Sequence, residues 1–326
     1  MQIDKITIRS LSRLGARGTF GLAMLEVPAL QPSVRVLTAD LSTTSGLDRF
    51  REQYPELFYN VGIAEQNMVG IAAGLAKEGF FPFISTFANF AAMRSYEPIR
   101  LNLGYMGFNV KVVGIASGMA MGLFGNTHYG IEDIALMRSV PGNMMVLSPS
   151  DCLEVYKTIL ACAMSDTPAY IRLTGTANCP VVYKEDYPFE LGKAIRLKEG
   201  REIAILATGS MVYEALQASK ILDESGLNCS VYNFHTIKPL DEDVLESIRT
   251  ENKLVVTVEE HSMVGGFGSA IAEYMMQQDI KPKQLFIGLP PKFGHAGNYS
   301  YLLDTYGLRG DAIANRILHT YKGVMP

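Results

Sequence analysis

Residues 62–87 read GIAEQNMVGIAAGLAKEGFFPFISTF, a helix running into a strand, and this pair decides the fold class. Met68, Ile71, Ala72 and Leu75 keep the i, i+3, i+4, i+7 spacing of one helical face, and Gly79 supplies the stop. Phe81–Ser85 follows at once as a strand. The same alternation recurs on both sides. Upstream, residues 16–27 (ARGTFGLAMLEV) set Phe20, Ala23, Met24 and Val27 on one helical face; Val34, Val36 and Leu37 then open a strand ending at Ala39-Asp40-Leu41. Downstream come a helix through 91–101, strands at 110–115, 144–147 and 169–173, and a helix over 151–164. Strands alternating with helices predict a parallel sheet covered on both faces.

Residues 174–192 (TGTANCPVVYKEDYPFELG) carry no period and read as a linker. Beyond them, strands at 203–207, 229–234 and 254–258 alternate with helices near 211–224, 241–250 and 267–277. A chain of 326 residues exceeds the usual single core, so the expectation is two three-layer α/β domains, the second smaller. The net charge of -4, with no basic stripe, argues against a nucleic-acid partner. No uncharged apolar run approaches the roughly 18 residues that cross a bilayer, and MQIDKITIRS lacks the core of a signal peptide. Cys152, Cys162, Cys179 and Cys229 show no CxxC spacing, so they read as buried hydrophobes of a reducing compartment rather than metal ligands. A cytoplasmic protein is expected.

Three stretches could carry chemistry. In Val61–Asn67, Glu65 is either the third residue of a Gly-capped helix, serving the free amides and the dipole, or a carboxylate at a cleft that holds a proton. In STFANFAAMR (85–94), Phe87 and Phe90 share a face, as core or as a platform for a ring. The loop GMAMGLFGNTHYGIE (118–132) is long and glycine-rich and holds His128, as a structural residue or a catalyst; Asp133 just beyond could pair with Arg138. EEHSMVGGFGS (259–269) joins a strand to a helix without the spacing of a dinucleotide fingerprint, and reads as a tight turn whose helix N-terminus could attract an anion.

Taken in order, VGIAEQNMVGIAAGLA, STFANFAAMR, NTHYGIEDIALMRSVPG, YIRLTG and VEEHSMVGGFGSAIAE resemble the C-terminal half of transketolases, and most closely the forms split into two polypeptides. Deoxyxylulose-phosphate synthases and the β chains of 2-oxo-acid dehydrogenases share the layout. The resemblance implies a pyrimidine-binding domain at 1–185 and a transketolase C-terminal domain at 190–326. It implies thiamine diphosphate as cofactor. The family holds the diphosphate and Mg²⁺ through a GDG motif on another domain; Gly310-Asp311-Ala312 lacks the second glycine, so both are expected on an N-terminal transketolase subunit, in an α2β2 assembly. By the same resemblance Glu65 hydrogen-bonds the pyrimidine ring nitrogen, Phe87 and Phe90 form its aromatic wall, and Asp40 lies at the cofactor end of a strand. Arg17, Thr44 and Arg172 fall on the substrate-phosphate anchor, and His128 on the histidine facing the sugar's reacting hydroxyl.

Two positions depart from that pattern. Ala116 stands where transketolases carry a histidine, and Phe124 where they carry an acidic residue that reads a sugar hydroxyl. An apolar stretch from Met119 to Phe124 favours a substrate lacking those hydroxyls, so a ketol transferase for a deoxygenated or otherwise modified sugar is expected. The alternative is a decarboxylating thiamine enzyme, either an oxo-acid dehydrogenase β chain or a deoxyxylulose-phosphate synthase-like carboligase. His261, His295 and Tyr299 have no argued place in the cleft.

Overall fold

The computed structural model describes residues 1–175 and 177–323. Its strands are β1 (Val34–Thr38), β2 (Phe58–Asn60), β3 (Phe81–Phe87), β4 (Lys111–Ser117), β5 (Met145–Leu147), β6 (Ala169–Thr174), β7 (Ile195–Lys198), β8 (Glu202–Ala207), β9 (Cys229–Asn233), β10 (Thr236–Lys238), β11 (Asn252–Ser262) and β12 (Lys283–Leu289). They form two sheets, ordered β10-β5-β6-β4-β3-β1-β2 and β12-β11-β8-β9-β7. Every pairing is parallel except β10 with β5 and β7 with β9. Strands β3, β4 and β6 are buried along their whole length, as a parallel sheet with helices on both faces requires.

One strand crosses between the halves. β10 comes from the second half of the chain, yet it pairs antiparallel with β5, setting Thr236 against Leu147 and Lys238 against Val146. The first sheet is therefore completed by residues beyond the linker.

Some elements extend past their periodic patterns. The first helix runs Lys5–Met24, capped by the Asp4 carboxylate accepting from the Thr7 amide at 2.7 Å, and it breaks at Gly15 (φ 76°, ψ 174°). Only the part after that break shows the apolar face read from 16–27. The helix expected through 91–101 is instead a π-helical turn (Phe90–Arg94), an α turn (Tyr96–Ile99) and a second π-helical turn (Arg100–Tyr105). Such widened turns gather at functional sites. Strands β2, β7, β10 and β12 and the helices Tyr299–Thr305 and Gly310–Lys322 add to the elements read from periodicity.

A buried ionic seam joins the halves. Arg172, on β6, donates through Nε to Asp133 at 2.9 Å, through Nη1 to Thr174, and through Nη2 to the carbonyls of Gly130 and Glu260. The Tyr170 hydroxyl also donates to Asp133, at 2.8 Å. The Asp133 carboxylate is thus committed to Arg172 and Tyr170, whereas Arg138 pairs with Glu273; the spacing-based pairing of Asp133 with Arg138 does not form. The Glu260 carboxylate accepts from the Met119 amide, the Ser210 hydroxyl and the Tyr299 hydroxyl, each at 2.6 Å. Glu259 accepts from the amides of Phe267 (2.6 Å) and Gly268 (2.8 Å). The anion attracted by the helix Phe267–Met275 is therefore a side chain of this protein. Burial pushes the Glu259 carboxyl up to about 7, and burial drops the His261 imidazole to about 4. His261 is fully enclosed, so it and Tyr299 belong to the seam.

Among the described residues no helix is long and apolar enough to cross a membrane. Cys152, Cys162 and Cys229 are buried free thiols, and Cys179 is half-buried.

Candidate functional site

The helix Glu65–Lys77 delivers the first functional side chain. Its N-cap is Ala64, so Glu65 is the first helical residue rather than the third, and no side chain caps this end. The carboxylate is buried and turns to Arg94, whose Nη1 donates to Oε1 at 2.7 Å. Capping of the helix amides is thereby ruled out as its task. Arg94 ends the first π-helical turn, and its guanidinium lies 3.6 Å from the centroid of the Phe90 ring. Glu65 and Phe90 thus grip one flat, N–H-bearing group from its edge and its face.

Three further rings close on the same place. Phe87, at the end of β3, meets Phe90 edge-on at 5.5 Å. The His128 ring stands 5.6 Å from Phe87, 5.5 Å from Phe90 and 4.9 Å from Phe124. The structure therefore brings Glu65, Phe87, Phe90, Phe124 and His128 into one cluster through Arg94. Arg94 closes the STFANFAAMR motif, where the sequence points to no task for it. The partner it needs lies 29 positions away, and no local period points there.

The loop carrying Phe124 and His128 is held at both ends. Gly118 and Gly130 exchange backbone hydrogen bonds at 2.8 and 3.0 Å, closing its neck. A Cβ on Gly118 would fall 2.2 Å from Glu260 Oε1 at a φ of +65°, so the neck and the seam need glycine there. At the tip, Asn126 exchanges hydrogen bonds with Gly294 (2.7 and 3.0 Å), and the Tyr129 hydroxyl donates to the carbonyl of His295 at 2.7 Å. From beneath, Asn89 donates to the carbonyl of Thr127, also at 2.7 Å. The Thr127 hydroxyl meets His128 Nδ1 at 2.9 Å. Phe124 nevertheless remains 60% exposed and Leu123 77%, leaving an apolar rim. Ala116, at the end of β4, holds a left-handed backbone (φ 53°). Its methyl packs into the core of the first sheet.

Asp40, just past β1, is also left-handed (φ 59°) and pairs reciprocally with Asn60: its amide donates at 3.1 Å, and its carboxylate accepts at 3.0 Å. Asn60 also receives the Gly62 amide, tying Asp40 to the segment that leads into Glu65. Arg17 donates to the carbonyl of Thr44 at 3.3 Å, so these two expected anchor residues meet. Their contact depends on a close approach: a Cβ on Gly21 would sit 1.9 Å from the carbonyl oxygen of Gly46. Arg172 is not brought to the cleft. It is 1% exposed, and the seam takes its donors. Among the described residues no three His, Cys, Asp or Glu side chains are arranged to hold a metal ion.

The family model for the transketolase pyrimidine-binding domain matches residues 13–178, and that for the transketolase C-terminal domain matches residues 192–313. A protein described as a transketolase C-terminal section in Methanocaldococcus jannaschii is 39% identical, covering 94% of this chain and 96% of its own length. A 6-deoxy-6-sulfo-D-fructose transketolase subunit of Clostridium sp. is 38% identical, covering 91% of each chain. Among solved structures, a split-gene transketolase described as an inactive β4 tetramer superposes with a TM-score of 0.84 at 38% identity, covering 93% of this chain and 97% of that one. On its two matched domains, its sheets and these relatives, the chain belongs to the transketolase family.

Proposed function

We propose that this chain provides the pyrimidine side of a thiamine diphosphate site and works as one half of a two-chain transketolase. One observation carries the reading. Glu65 and Phe90 converge on a flat group bonded to the carboxylate at its edge and stacked at its face, the two contacts that an aminopyrimidine makes when its ring nitrogen shares a proton with a carboxyl and its face lies on an aromatic ring. The residues therefore fit that end of the cofactor, which when bound supplies the electron sink for moving a two-carbon ketol unit. In this reading Glu65 holds the proton exchanged with the ring nitrogen, and Phe87, Phe90 and the Asp40–Asn60 pair shape the wall. Arg17 with Thr44 anchors the substrate phosphate. His128 faces the reacting hydroxyl, and Arg172 secures the loop neck from the seam.

The diphosphate and Mg²⁺ are assigned to a partner subunit with its own diphosphate domain, in an α2β2 assembly. Exposed Ile63, Met93 and Tyr105 flank the Glu65 helix and the π-helical turns, an apolar surface suited to an interface beside the cluster. The exposed Leu123–Phe124 rim supports a modified sugar as substrate, as does the likeness to a sulfo-deoxyfructose transketolase subunit.

Calorimetric titration of thiamine diphosphate with Mg²⁺ into this chain, its partner and their mixture tests the composite site. Tight binding by the mixture only is expected; tight binding by this chain alone would overturn the division of labour. Full activity of the pair on xylulose 5-phosphate and ribose 5-phosphate would sink the modified-sugar reading alone.

A further inference from the structure

We infer that Arg94 is a built-in competitor for the aminopyrimidine and that cofactor entry requires its guanidinium to swing off Phe90. The inference rests on the proposed cofactor site and adds a residue to it. The guanidinium is flat, presents N–H donors along an edge and lies 3.6 Å from the Phe90 ring centroid, with Nη1 2.7 Å from Glu65 Oε1. A flat ring bonded to the same carboxylate and stacked on the same face needs both surfaces, so guanidinium and ring exclude each other.

The contact is placed to be exchangeable. The Arg94 side chain is 48% exposed, whereas Glu65 is buried, so the arginine can leave toward solvent while the carboxylate stays. Arg94 closes a π-helical turn and is followed by Ser95, whose backbone (φ -106°, ψ 11°) separates it from the next helical turn. The holding force is modest, an ion pair with a half-exposed partner plus one cation–π contact. Arg94 therefore sets the cofactor affinity: it keeps the buried carboxylate matched with a cation, and cofactor binding has to replace that match.

The test uses the assembled pair of chains with Mg²⁺ and reads thiamine diphosphate affinity by calorimetry for wild type, Arg94→Gln and Arg94→Lys. Arg94→Gln should bind about three- to tenfold tighter than wild type, the range set by losing one half-exposed ion pair and one cation–π contact. Arg94→Lys keeps the charge without the flat stack and should fall between. As a second readout, the thermal midpoint of this chain by itself should drop with Arg94→Gln, since the pair with Glu65 is gone. Equal or weaker affinity in Arg94→Gln, with the wild-type pair binding normally, would overturn this inference alone. If no pair binds the cofactor, wild type included, the proposed site falls and takes the inference with it.

Discussion

Arg172 and Arg94 each meet a carboxylate at hydrogen-bond distance, the first with Asp133 at 2.9 Å and the second with Glu65 at 2.7 Å. Their surroundings separate them. Arg172 and Asp133 are 1% and 0% exposed, and backbone carbonyls and hydroxyls take up the rest of the arginine's donors. Arg94 reaches solvent with half its surface and leans on an aromatic ring. Removing one partner of a buried pair strands a charge at a cost of about 3–5 kcal/mol, whereas a pair between exposed groups is worth about 0–1 kcal/mol; the Arg94 pair, with Glu65 buried and Arg94 half-exposed, lies between the two. The same arginine–carboxylate pairing thus makes a permanent joint in one place and an exchangeable contact in the other. Burial, rather than chemical identity, tells the framework from the cleft.

The largest effect should come from the cleft. Glu65→Gln in the assembled pair should leave fold and assembly intact and lower the transfer rate by about 10²- to 10⁴-fold, the usual worth of a lost acid–base group. A rate unchanged from wild type would erase the distinction between the two regions. At the seam, Asp133→Asn should lower stability by about 3–5 kcal/mol by leaving Arg172 unmatched, readable as a fall in denaturant midpoint. A midpoint within error of wild type would mean that the joint tolerates an uncompensated charge.

Glu259 sharpens the comparison through pH. Its pKa is raised in the folded chain, from 4.5 to about 7, so the folded state holds the proton longer than the unfolded state. The group therefore weakens the fold as pH climbs from about 5 to 7, by on the order of 2 kcal/mol in all. His261, lowered from 6.5 to about 4, acts in the opposite sense, adding stability as pH rises from about 4 to 6.5. The difference in thermal midpoint between Glu259→Gln and wild type should move in the variant's favour across pH 5 to 7. A flat difference would show that Glu259 does not titrate in the seam. The smallest effect belongs to the rim: Phe124→Asp should shift selectivity toward polyhydroxylated sugars by about tenfold, with little change in thermal midpoint. An unmoved selectivity ratio would reduce Phe124 to packing against His128.

Most helices and the central strands were legible because their apolar residues repeat at 3.6 or run continuously, as in Met68–Leu75 and β3. Lys5–Leu14 was hidden because Ile6 and Leu14 on its exposed side blur the apolar face of Ile8 and Leu11, and Gly15 breaks the register. β10 spans three residues whose strand character comes only from pairing with β5, so no window on the sequence could contain its cause. The site divides in the same way. Glu65, Phe87, Phe90, Phe124 and His128 were singled out through the family resemblance, and the structure draws them together. Contacts between distant residues were not legible: Arg94 with Glu65, Asn89 with the loop at Thr127, and Glu259 with the helix it was expected to leave open to an anion. Arg172 was placed on the anchor by the family resemblance alone, which carries no information on the burial that the seam imposes on this arginine.

The strand that crosses from the second half to the first constrains how this molecule can be divided or recombined. A cut in the linker before β7 would strip β10 from β5 and leave an open, apolar sheet margin able to recruit a strand from any neighbouring molecule. The first half therefore depends on the second for a closed sheet. A chimera that exchanges second halves among relatives at the linker takes its β10 from the relative, so that strand and β5 have to match across the two parents unless the junction falls after Lys238.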